Sequence, residues 1–255
     1  MAQNLPFHRA VRPAKNGSSM AGTSWPYMID EDFANSPRNY VRAFLLIQQD
    51  LNRLFEFVEP SDLSATTYSF RIHELLMRTC IEVEANFKAI LSENKCAGSR
   101  WNIKTFEKVN TSHHLASYEL LLPVWDGPSQ SFRPFGDWSS VGGKLAWYKA
   151  YNDSKHDRHK TFREANLWAL VRAVGGLLVL LSSQFGSHDF SAGPDSLTLG
   201  SKDSDGFEFA IGSLFRIKYP NDWSPEELYD FDWRKISGGV NRFAKFEYDC
   251  LNLTP

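Results

Sequence analysis

Cysteine is scarce in this 255-residue chain: Cys80, Cys96 and Cys250 are widely spaced, odd in number and without a CxxC pair. That usage argues against a disulfide framework or a zinc cluster of cysteines, and predicts a reducing, cytoplasmic setting. Charge of one sign is lacking too. A formal net charge of −2 gives no whole-molecule attraction to nucleic acid or to anionic membranes, so any basic surface must be local. The longest apolar stretch, 167–181, is interrupted by Arg172 and is short for a bilayer span; it reads as a buried helix, with no membrane partner. No basic start followed by an apolar run marks a secretory signal. Walker A, dinucleotide-binding, GxSxG and HExxH signatures are all missing, which sets those enzyme classes aside. Neither internal repeats nor low-complexity tracts occur.

What is present is material for a packed core. The hydrophobic fraction of 42%, with 19 Phe and 8 Trp, fits a folded globular chain. The apolar residues recur mostly at helical spacing, which predicts a mainly α fold in three segments: an irregular N-terminal arm over 1–35, packing through Trp25 and Tyr27; a helical domain over 36–186; and a linker with a small mixed or β-containing appendage over 187–255. Ser36-Pro37 reads as an N-cap and first-turn pair for a helix ending near Pro60. A long helix is expected from about Ser64 to Glu93, carrying Arg71, Glu74, Arg78 and Glu82 in one charged stripe. Short helix around 103–110, an extended run over 118–125 and a long loop through Pro134 and Gly136 follow. Helix resumes near Gly143, and the most apolar helix contains Gly175-Gly176, which predicts close helix approach; a core position and a dimer interface both explain it. Residues 207–217 alternate as a strand pair, and Ser224-Pro225-Glu226-Glu227 reads as a capped short helix.

The chemistry concentrates in Tyr151-Asn152-Asp153-Ser154-Lys155-His156-Asp157-Arg158-His159, between two apolar helical patterns. On a helix, Asn152, Lys155 or His156, and His159 share one face. His156 is the candidate general acid or base, Asn152 its hydrogen-bonding neighbour, and Lys155 with Arg158 the cations that neutralise an anion. The bland alternative is a polar junction in which these groups cap two helices. If the charged stripe faces this segment, Arg78 supplies a phosphate contact and Glu82, beside Glu74, orients His156.

The helical order, the polar-striped second helix and Asn152-Asp153-Ser154-Lys155-His156 before a final apolar helix resemble the HEPN superfamily of bacterial defence and toxin proteins. The match is to the polar residue and histidine of that superfamily's Arg-polar-x-x-x-His element, and Tyr151 stands where the family places arginine. The resemblance implies a helical bundle within 36–186. It also implies RNA binding or metal-independent RNA cleavage without a cofactor, in a composite site formed by a homodimer. His156 would then assist attack of a ribose 2′-hydroxyl, Asn152 would orient the phosphate, and Arg158 or Lys155 would replace the arginine, with Tyr151 and His159 lining the substrate. The main alternative is a non-catalytic helical module that binds a protein partner. A third reading is a metal-dependent HD-type phosphohydrolase built on His156-Asp157, His159 and His73; the pair His113-His114 is a weaker ligand candidate.

Overall fold

The computed structural model describes residues 2–16, 30–98, 100–186 and 206–250. Trp25, Tyr27 and the expected linker over 187–200 lie outside them. The described chain is mainly helical, with one small antiparallel sheet.

The first long helix, α1 (Pro37–Phe55), begins as expected at a proline in the first turn, which loses no hydrogen bond there. Ser36 does not cap it: its backbone is left-handed and its side chain makes no capping bond. The second, α2 (Phe70–Glu93), starts six residues later than the periodicity predicts, with Ser69 Oγ accepting from Ile72 N at 3.2 Å. The reason is tertiary. Residues 65–68 spend their backbone on the start of α7 (Leu167–Phe185): Thr67 O accepts from Leu167 N at 2.8 Å and Ala65 O from Trp168 N at 3.0 Å.

Between α2 and α7 come first α3 (Ile103–Glu107), closed by a reciprocal Asn102–Thr105 capping box, and α4 (Asn110–His113). Two further helices, α5 (Ala146–His156) and α6 (Arg158–Thr161), lead into α7. Every residue of α7 except Trp168 and Arg172 is buried, so it is hydrophobic all round and forms the centre of the core, against α1, α2 and α5. It is long and apolar enough to cross a membrane, but 89% of its apolar window is buried inside the protein. Arg172, the charge that interrupts the run, reaches Asp137 at 3.8 Å.

The strands β1 (Glu119–Leu121), β2 (Ser131–Phe132), β3 (Glu208–Phe209) and β4 (Arg216–Lys218) form one antiparallel sheet in the order β2-β1-β4-β3. Leu120 stands opposite both Phe132 and Ile217. The expected strand pair over 207–217 is present, and it continues a sheet begun in the long loop. Gly175 faces this sheet: a Cβ there would meet Leu120 and Phe132 side chains at 2.8 and 2.9 Å. Gly176 faces Trp147 of α5 at 3.1 Å. Close helix approach therefore accounts for one glycine and sheet approach for the other.

Residues 2–16 are bound to the C-terminal segment. Gln3 N donates to Leu228 O at 2.9 Å, Tyr229 N to Pro13 O at 3.0 Å, and Ala244 N to Pro6 O at 2.8 Å. Arg9 is fully buried, with Nε 2.8 Å from Glu93, Nη1 donating to Gln184 at 2.8 Å and Nη2 to Asn35 O at 2.6 Å. Two expectations need correction here. Cys96 and Cys250 form a disulfide across 154 positions, so cysteine usage no longer supports a reducing, cytoplasmic setting. Ser224–Glu227 is a single turn instead of a helix: Glu227 bonds back to Ser224 N at 3.0 Å as in a capping box, but the backbone that would continue the helix pairs with the N-terminal arm at Leu228 O and Tyr229 N.

Candidate functional site

The dense polar segment spans the joint between α5 and α6. Asp157 leaves the helical conformation (φ −140, ψ 68), and its side chain accepts from Lys160 N, so the chain turns within one residue. This geometry keeps Asn152 and His156 one turn apart on α5, while Arg158 and His159 belong to α6. Asn152, Lys155, His156, Arg158 and His159 are all exposed. Asp157 therefore caps α6 at a polar junction, and its neighbours face water.

Tyr151, which stands where the HEPN resemblance would place an arginine, points the other way. It is 2% exposed, and its hydroxyl donates to Glu84 Oε1 at 3.1 Å. Tyr148 donates to the same oxygen at 3.0 Å, and Lys88 Nζ lies 3.2 Å from Glu84 Oε2. Burial first, and the Glu84 charge second, push both phenols well above their ordinary pKa and keep them protonated. Lys155 closes the set by donating to the Tyr151 hydroxyl at 3.3 Å. Tyr151 thus anchors α5 to α2 and holds the Lys155 ammonium.

The charged stripe of α2 divides. Successive helical residues lie about 100° apart, so His73, Cys80 and Glu84 share the side facing α5, while Arg71, Arg78 and Glu82 lie nearly opposite. Arg78 pairs with Asp50 of α1, and Glu74 with Arg71 at 3.1 Å. Burial raises the Glu82 pKa, against the lowering effect of Arg78. None of the four stripe residues joins the His156 segment.

The structure brings different side chains to it. Phe162, on the turn after α6, packs against Phe70 at 4.9 Å and Tyr68 at 5.5 Å between ring centroids. Phe70 is 67% exposed and Tyr68 41%, so the rings form a partly open surface. Arg158 lies over Phe70 at 5.6 Å and Arg163 over Tyr68 at 5.8 Å. His73 sits 5.7 Å from Phe162, and its pKa is lowered by burial and then by the Arg158 charge. By helical spacing alone Tyr68 and Phe162 fall on apolar helix faces, which predicts burial. The signal for them was alternation of rings with cations, in Tyr68-Ser69-Phe70-Arg71 and again in Phe162-Arg163.

Among the described residues, no group of three or more His, Cys, Asp or Glu is disposed to hold a metal ion. The histidine pair His113-His114 separates. His113 is buried, with a pKa lowered to about 4, chiefly by burial. Its Nε2 is 2.7 Å from the Arg9 carbonyl, which can only accept, so Nδ1 accepts from Ser112 Oγ at 2.7 Å. His114 stacks on Trp223 at 4.0 Å and bridges Asp222 and Glu227 at 3.0 and 2.9 Å. Both histidines tie loops to the core. No family model, curated protein or solved structure matches this chain.

Proposed function

We propose that this protein binds single-stranded RNA on the exposed edge formed by the α5–α6 joint and the start of α2, as a HEPN-like module that does not cleave its ligand. The observation that carries this reading is the interleaving of exposed rings and cations: Phe70 and Tyr68 beside Phe162, with Arg158 and Arg163 over them. Unpaired bases stack on such rings whatever their sequence, at about 1–3 kcal/mol per base, while cations follow the phosphates. Lys155 and Lys160 extend the positive edge, although Lys160 shares its charge with Asp157 at 3.1 Å. The orientation of Tyr151 supports binding over cleavage. Beside exposed His156, the position that would supply a guanidinium to the scissile phosphate is turned inward onto Glu84.

The test is fluorescence anisotropy of a labelled single-stranded RNA, with chelator present and RNA integrity followed on a gel. If four cations meet phosphate, the slope of log K against log salt is about −3, from roughly −0.7 per phosphate on single strands. Phe70→Ala and Arg158→Gln should each weaken binding by about tenfold. Absence of binding at low salt, or affinity indifferent to both variants, would leave a protein-interaction module as the better account. Cleavage by wild type that disappears in His156→Ala would replace binding with ribonuclease activity.

A further inference from the structure

On the other side of α2, a groove of 270 Å³ runs between α1 and α2. Three guanidinium groups, Arg53, Arg71 and Arg78, stand around it with two carboxylates, Asp50 and Glu74, which leaves one surplus positive charge. Asp50 is shared: its Oδ1 takes Arg53 at 3.3 Å, and its Oδ2 takes Arg78. The carboxylate on α1 therefore brings two guanidinium groups from two helices together, and each gives it one nitrogen. Their remaining N–H donors form the fork geometry that matches phosphate oxygens. At the groove's end Phe57 is 83% exposed, an aromatic face immediately beyond the C-terminus of α1. Leu54 and Leu75 supply apolar lining.

We infer that this groove is a second binding site, for a phosphate monoester carried by a planar base, with the phosphate between Arg53 and Arg78 and the base against Phe57. The volume lies just below the usual range for small-molecule sites, about 300–1,000 Å³, and favours a ligand no larger than one nucleotide. The inference goes beyond the RNA reading, since the groove faces away from the α5–α6 joint. The same chemistry is offered by a free mononucleotide and by the 5′-phosphorylated end of an RNA.

Isothermal titration calorimetry with AMP, adenosine and inorganic phosphate tests it on the full chain. AMP should bind more tightly than either part alone. Arg78→Gln and Phe57→Ala should each weaken AMP by about tenfold, the loss of a charge-assisted contact or of one stacked base. Phe57 is so exposed that its removal does not threaten the fold, which keeps the test decisive if Arg78→Gln is unstable. No saturable heat with AMP, or affinity unchanged in Phe57→Ala and in a folded Arg78→Gln, overturns the site. Competition against AMP by 5′-phosphorylated but not 5′-hydroxyl RNA identifies an RNA end as the occupant; saturable AMP binding without that competition identifies a free nucleotide. AMP binding in a protein that binds no RNA sustains the groove and removes only the RNA reading.

Discussion

Replacing Arg9 by methionine tests whether the N-terminal arm is a structural part of the core. The stem volume is roughly retained while the guanidinium is lost. Arg9 is 0% exposed and serves Glu93 at 2.8 Å, Gln184 Oε1 at 2.8 Å and the Asn35 carbonyl at 2.6 Å. Its guanidinium also lies 4.8 Å from the centre of the Tyr40 ring. Removing one partner of a buried ion pair costs about 3–5 kcal/mol, because the other charge is stranded. Glu93 keeps 15% of its side-chain exposure, so water offsets part of that cost and the lower end applies. An unmet acceptor on buried Gln184 adds roughly 1 kcal/mol, for a total near 4. At about 2–4 °C per kcal/mol for a chain of this size, the midpoint of thermal unfolding should fall by roughly 8–16 °C. Far-UV circular dichroism measures it. Arg9→Met with Glu93→Gln should recover part of the loss, since no charge is then stranded. A drop of only a degree or two in the single variant would show that residues 2–16 contribute little to the folded core, and the argument from buried ion pairing would fail.

Three further outcomes follow from the same structure. His113 titrates near 4 when folded against about 6.5 unfolded, so the unfolded chain binds the extra proton between those values. Its neutral burial costs nothing above pH 6.5, and roughly 3 kcal/mol of stability should be lost as pH falls towards 4, a slope that flattens in His113→Gln if that variant folds. Breaking the Cys96–Cys250 disulfide, which closes a loop with a sequence separation of 154, should cost up to about 5 kcal/mol on the chain-entropy account; denaturant unfolding of the double Cys→Ser variant checks it. Tyr151→Phe removes one donor to Glu84 and the acceptor of Lys155, so stability should fall by about 1 kcal/mol in the same assay.

The local pattern of the chain determined where most helices form. Apolar spacing marked α1, much of α2, and α7 as a core helix, because burial on a helical face is a property of residues three and four apart. Alternation likewise marked the strands near 208–218. The polar richness of 151–159 was legible too, and the structure leaves most of those side chains at the surface. The partners were decided by tertiary structure alone. Tyr151 turns inward because Glu84 and Tyr148 meet it where α5 packs on α2, whereas Arg78 meets Asp50 because α1 lies along the opposite side. Residues 65–68 lose their helix to the cap of α7, and Cys96 finds Cys250 near the far end of the chain. Periodicity is written within a few residues by backbone geometry; which faces meet depends on the packing of elements far apart in sequence, and only the folded chain contains that information.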